Sequence, residues 1–198
     1  MNLLALGTPL TRLLGRWRVA AVLPQLNGRV LDVGCGSNRL VREHGCGVGV
    51  DVFPWQGVDL VIEDAGRLPF ADESFDCVTF LASLNHIPNR EQALCEAYRV
   101  LRPGGRVLIT MLTPLVGRVW HRLMRWRDPD QQVRGMQTGE VWGIADASVR
   151  RMLGGAGFVG WRINTFQCGL NRLHQATKAE CLPGTSIEHA DKRRDRTA

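Results

Sequence analysis

The sequence predicts an α/β fold built on parallel strands, and three observations carry that expectation. A strand, a glycine turn and a helix follow one another across residues 29–44. A second short apolar run, Gly47-Val48-Gly49-Val50-Asp51-Val52, comes next and ends in an acid. Apolar runs at Leu60-Val61-Ile62, Cys77-Val78-Thr79-Phe80-Leu81 and 106–112 then alternate with stretches of helical period.

The first of these motifs is Arg29-Val30-Leu31-Asp32-Val33-Gly34-Cys35-Gly36-Ser37-Asn38. Val30, Leu31 and Val33 suit a strand buried on both faces. The run stops at Gly34-Cys35-Gly36, and Ser37 or Asn38 is expected to cap a helix through Leu40 to about His44. A glycine turn lets a ligand approach the backbone, and the helix start is expected to offer it unpaired N–H groups. Asp51 follows fifteen positions beyond Gly36. A carboxylate at the end of the second strand can accept hydrogen bonds from both hydroxyls of a ribose. The dinucleotide pattern G-x-G-x-x-G would need a third glycine where Arg39 stands.

The remaining elements follow in order. Residues 3–23 carry apolar side chains near helical period, with Pro9 in a first turn or at a break, and Pro24 ending the run. Residues 53–59 are too few for a full crossover helix. Pro88 and Asn89 open a helix with Gln92 in capping-box position, and Ala93, Leu94, Ala97, Val100 and Leu101 form its apolar stripe. Arg102-Pro103-Gly104-Gly105 stops it, Gly104 being suited to positive φ. Residues 115–126 read as a basic amphipathic helix broken by Asp128-Pro129-Asp130. Residues 147–153 read as a short helix capped by Asp146, and 158–166 and 170–176 as two antiparallel closing strands.

At 198 residues, 44% hydrophobic and 22% charged, the chain suits one soluble domain with a sizeable core. Its net charge of +6, nearly all from arginine, permits anionic partners and selects none. The six cysteines (Cys35, Cys46, Cys77, Cys95, Cys168, Cys181) show no C-x-x-C pair and no zinc-like spacing, and no metal site is expected. They read as reduced thiols of a cytoplasmic protein. The apolar N-terminus lacks a basic leader and is interrupted by Arg12, Arg16 and Arg18, so it reads as neither signal peptide nor membrane span.

The pattern D-x-G-x-G at Asp32–Gly36 resembles motif I of the class I S-adenosylmethionine-dependent methyltransferases. Residues 64–76, which include Leu68-Pro69-Phe70-Ala71-Asp72-Glu73-Ser74-Phe75-Asp76, are very like the D-A-x-x-L-P-F-x-D-x-S-F-D segment of that superfamily's small-molecule (methyltransferase type 11-like) branch. Arg99-Val100-Leu101-Arg102-Pro103-Gly104-Gly105-Arg106-Val107-Leu108-Ile109 resembles the same branch. The resemblance covers residues 29–112 and implies a Rossmann-like doubly wound sheet of seven strands, order 3-2-1-4-5-7-6, with the last strand antiparallel. It implies a single domain over 1–178, with covering helices at 1–25 and a covering insertion at 113–145. Residues 179–198 read as a disordered tail.

The resemblance further implies S-adenosylmethionine as methyl donor and S-adenosylhomocysteine as product. The cofactor would be bound by Asp32, Gly34, Cys35, Gly36, Asp51, Val52, Asp64, Ala65 and Leu81, with Asp51 on the ribose and Asp64 on the adenine amino group. Asn38 departs from the commonest motif, where a glycine is frequent, but asparagine tolerates left-handed backbone. His86, at the active edge of the fourth strand, is the candidate general base, and Asn85 a candidate for orienting the acceptor. His44, His121, His174 and His189 have no partner spacing and read as surface residues. N-P-P-Y is absent after the fourth strand, and aromatics are not interleaved with the basic residues, which argues against a nucleic-acid substrate. A small molecule is the expected acceptor. Two basic helices with Trp17, Trp120 and Trp126 leave room for a lipid-like acceptor and contact with a membrane surface. The competing readings are a catalytically silent S-adenosylmethionine-binding protein and an NAD-dependent oxidoreductase. The latter lacks both the third glycine and a Tyr–Lys arrangement, the only tyrosine being Tyr98.

Overall fold

The structure, a computed structural model, describes residues 9–113, 139–141, 143–167 and 169–180. The expected basic helix at 115–126, most of the 113–145 insertion, and the tail beyond 180 lie outside the described residues. The strands are β1 (Val30–Val33), β2 (Gly47–Asp51), β3 (Leu60–Val61), β4 (Phe75–Leu81), β5 (Leu101–Leu112), β6 (Phe158–Phe166) and β7 (Asn171–Lys178). They form one sheet in the order β3-β2-β1-β4-β5-β7-β6. The strands from β3 across to β5 pair in parallel, while β7 runs antiparallel to both β5 and β6. This is the Rossmann-like order that the resemblance implied.

Among the described residues, four helices flank the sheet: α1 (Pro9–Val22), α2 (Arg39–His44), α3 (Arg90–Val100) and α4 (Asp146–Gly155). All four residues of β1 are buried, as a central parallel strand requires. Because side chains alternate along it, Leu31 and Val33 join one core with Leu94, Ala97, Val149 and Leu153 of α3 and α4. Val30 faces the other way, joining Val19 and Val22 of α1, Leu40 of α2, Cys77 and Leu108. The second half of α1 therefore packs on the sheet. Its middle reaches the sheet's carboxyl edge, where Gln167 Nε2 donates to the Leu14 carbonyl and Arg18 Nε to Asn171 Oδ1. Among the described residues, no helix is long and apolar enough to cross a membrane.

Several local expectations are corrected. Neither Ser37 nor Asn38 caps α2 with its side chain; Asn38 stands at the N-cap with φ of 54° and turns its amide elsewhere. Asn89 makes no side-chain cap on α3, because its amide is drawn to Asp64. Asp146 is the first residue of α4 rather than its cap, which falls on Ala145. The strand β5 begins at Leu101, not at 106: Leu101 already pairs with Phe75, and the register then jumps to Arg106 opposite Cys77. His174 is not a surface residue but fully buried, its place on β7 lying between β5 and β6.

Candidate functional site

The glycine turn is shaped by two demands of the backbone. Gly34 has φ of +73°, and a Cβ there would collide with the Ser83 Cβ, since Ser83 crosses directly over it to donate its hydroxyl to the Val33 carbonyl. Gly36 has φ of +52°, but a Cβ there would meet nothing within 4 Å. One glycine makes room for protein, and the other leaves open space. The amides of the glycine turn itself are already engaged, while α2 begins without a side-chain cap. The amides of Gly34 and Cys35 both donate to the Val50 carbonyl, that of Asn38 to the Cys35 carbonyl, and that of Gly36 to Asp51. These four amides are therefore not offered to a ligand's phosphates.

Asp51, at the carboxyl end of β2, is 8% exposed. Its Oδ2 accepts from Gly36 N–H at 3.0 Å and its Oδ1 from Phe53 N–H at 3.0 Å. A carboxylate offers about four acceptor sites, so two remain for hydroxyls of a ligand in the open space at Gly36. Beneath the turn, the Asn38 amide fills the space over Gly49 and donates to the Gly57 carbonyl at 2.9 Å and Asp59 Oδ2 at 2.8 Å. That same Asp59 oxygen accepts from Gly49 N–H at 2.8 Å. Asparagine at this position thus ties the turn to the loop before β3.

Asp32 is 1% exposed, and Thr79, its neighbour on β4, donates a hydroxyl to its Oδ1 at 2.6 Å. Burial pushes its carboxyl up to about 7, the Asp51 charge adding to the effect and the Thr79 hydroxyl opposing it. Cys35 stands close by. Burial and the Asp32, Asp51 and Asp59 charges hold its thiol far above the usual range, so it is no nucleophile.

Asp64 Oδ1 accepts from Gly66 N–H at 2.7 Å, and Asn89 Nδ2 reaches both carboxylate oxygens at 2.9 and 3.0 Å. Ala65 beside it is buried, Leu81 is half-buried at the end of β4, and Val52 is exposed just past β2. Asp32, Gly34, Cys35, Gly36, Asp51 and Val52 thus gather at the adjoining ends of β1 and β2. Asp64 and Ala65 are brought to the start of α3.

His86 ends a single turn of 3₁₀ helix (Leu84–His86) after β4, and its Nδ1 lies 3.5 Å from Glu140 Oε2. The Asn85 carbonyl accepts from Val141 N–H at 3.0 Å. An open cleft of about 540 Å³ lies alongside, lined among others by Asn89, Arg90, Val141, Ile144, Ser148 and Arg151. Sequence reasoning passed over Thr79, Asn89 and Glu140. A threonine inside an apolar buried run, level with Asp32, was a readable signal; nothing in the sequence around Glu140 marked it.

Residues 31–109 match the family described as "Methyltransferase domain". A ubiquinone/menaquinone biosynthesis C-methyltransferase of Hahella chejuensis is 41% identical over 88 residues, 44% of this chain and 31% of that protein. Its counterpart from Desulfotalea psychrophila is 31% identical over 139 residues, 64% of this chain and 56% of that protein. Over residues 31–109 the chain is therefore similar to methyltransferase domains. A crystal structure from Thermotoga maritima, described as an S-adenosylmethionine-dependent methyltransferase and possible histamine N-methyltransferase, has the same fold, with a TM-score of 0.67 at 20% identity, covering 83% of this chain and 89% of that one. The match spans between about a third and just over half of the length of these curated relatives.

Proposed function

We propose that this chain binds S-adenosylmethionine at the Gly34-Cys35-Gly36 turn and directs its methyl group to a small-molecule or lipid-like acceptor. The observation that carries the reading is the Asp51 carboxylate, fixed by Gly36 N–H and Phe53 N–H, beside the open space at Gly36. The donor set fits a nucleoside: Asp51 for the ribose hydroxyls and Asp64, braced by Asn89, for an adenine amino group. Asp32, buried near the turn, suits a cationic ligand. When bound, S-adenosylmethionine supplies an electrophilic methyl carbon and leaves as a neutral thioether. The chain's contribution is to orient the acceptor, which is worth roughly 7–11 kcal/mol at best, and to exclude water from a step that disperses charge. His86 takes a proton from the acceptor where that acceptor must lose one.

The curated relatives are named for C-methylation in quinone biosynthesis, so electron-rich ring compounds head the panel of acceptors to test. Calorimetric titration with S-adenosylmethionine, S-adenosylhomocysteine and NAD, followed by a methyl-release assay on that panel and on cell metabolites, tests the proposal. Tight binding of the first two, with turnover of an acceptor, is expected. Preference for NAD, or no binding of the sulfonium, would overturn it; binding without turnover of any acceptor would favour the silent binding protein.

A further inference from the structure

Glu140 is placed specifically beside the turn that carries His86. Its side chain is 3% exposed, and its Oε2 lies 3.5 Å from Nδ1 of His86, whose side chain is 26% exposed. Two ties fasten the chain on either side of it. Arg90 Nη2, at the start of α3, donates to the Gly139 carbonyl at 2.5 Å. Val141 N–H donates to the Asn85 carbonyl at 3.0 Å, one residue before His86. The segment is therefore held against the turn that carries the histidine. Burying a carboxylate is costly unless it is paired, and the imidazole is a partner it has gained by this placement.

We propose that Glu140 is a positioning residue that sets the tautomer of His86, an inference that rests on reading His86 as the base. A carboxylate can only accept. A neutral imidazole facing it therefore carries its proton on Nδ1 and leaves the Nε2 lone pair bare. Nε2 then takes the proton of the acceptor's X–H group. The X–H electron pair stays on X and forms the bond to the methyl carbon, while the pair of the broken sulfur–methyl bond returns to sulfur. The imidazolium so formed faces the Glu140 charge. At 3.5 Å the contact is at the long limit of a hydrogen bond; such contacts tighten once substrate is bound. Among the described residues, charged groups on neighbouring elements include Arg90, tied to the Gly139 carbonyl, Asp64, held by Asn89 at the start of α3, and Glu91 and Arg151, which line the adjoining cleft.

The test compares wild type, Glu140→Gln, Glu140→Asp and His86→Gln in the full chain. Long-range ¹H–¹⁵N NMR of the imidazole at mildly alkaline pH, without cofactor, reads the tautomer directly. The expected result is the Nδ1–H form in wild type and the Nε2–H form, which free histidine favours, in Glu140→Gln. Turnover in Glu140→Gln should fall about tenfold or more with S-adenosylmethionine affinity unchanged, and Glu140→Asp should recover part of it. The same tautomer in wild type and Glu140→Gln would overturn the proposal, as would a changed tautomer with undiminished turnover. His86→Gln turning over like wild type would instead remove the base on which the inference rests, a failure that the NMR result keeps separate.

Discussion

Gly36 N–H donates to Asp51 Oδ2 at 3.0 Å, so a single carboxylate both shapes the glycine turn and borders the open space beside it. Replacing Asp51 by alanine should weaken S-adenosylmethionine binding by about 1.5–3 kcal/mol, the range for hydrogen bonds to a charged group. Asp51→Asn keeps an acceptor for Gly36 and loses the charge, so it should fall between wild type and alanine while leaving the melting temperature unchanged. Calorimetry on the three proteins checks this, and equal affinity in all of them would place the nucleoside elsewhere.

The most recognisable stretches of the sequence prove to be largely scaffold. Arg99 Nη1 meets Asp72 at 2.7 Å and the Phe70 carbonyl at 2.7 Å, and its Nη2 meets the Leu68 carbonyl at 3.0 Å. Arg102 Nη1 meets Asp76 at 2.6 Å. The two segments that carry the family resemblance are therefore each other's partners, one clamping the other. The strands themselves were legible because the apolar runs of β1, β2 and β4 and the glycines between them impose strand and turn locally, whereas their order in the sheet came from the family resemblance. The caps were not, because Asn38 and Asn89 are claimed by Asp59 and Asp64, which are distant in sequence. Burial of His174 was hidden for the same kind of reason: alternate positions of β7 face helices that only the assembled sheet brings over them.

That clamp gives a stability prediction. Lysine at 99 keeps the charge and loses the planar fork that serves Glu96, Asp72 and two carbonyls together. Arg99→Lys should cost about 1–3 kcal/mol, read as a lower urea midpoint with unchanged slope. A midpoint within error of wild type would show that residues 68–72 are held by other contacts.

Two buried groups oppose one another in their response to acid. Burial pushes Asp32 up to about 7 and His174 down to about 4, the latter partly offset by Asp146. From about pH 3.8 to 7 folded Asp32 holds a proton that the unfolded chain has lost, so its contribution to stability falls as pH rises. From about pH 4 to 6.5 unfolded His174 holds a proton that the folded chain refuses, so its contribution rises with pH. The Asp32 shift is worth roughly 4 kcal/mol and the His174 shift roughly 3 kcal/mol, so in wild type they largely offset one another. Asp32→Asn should therefore lose stability on acidification through this window, and His174→Gln should gain it. Denaturant titrations at several pH values read both slopes; parallel profiles for the two variants would refute the pairing.

With the proposed cofactor bound nearby, the same carboxyl would link binding to protons. A cationic ligand near Asp32 favours its ionised form and lowers its affinity for a proton. Binding of S-adenosylmethionine should then release a proton when the free protein holds one, that is, below about pH 7. Affinity should accordingly rise with pH up to about 7 and level off above it. Titrations in buffers of different ionisation enthalpy measure the released proton directly. S-adenosylhomocysteine, which lacks the sulfonium charge, should show a weaker dependence, and Asp32→Asn none from this group. An affinity for the sulfonium that is flat from pH 5.5 to 8 in wild type would mean that Asp32 stays neutral and that the cation is met by another group.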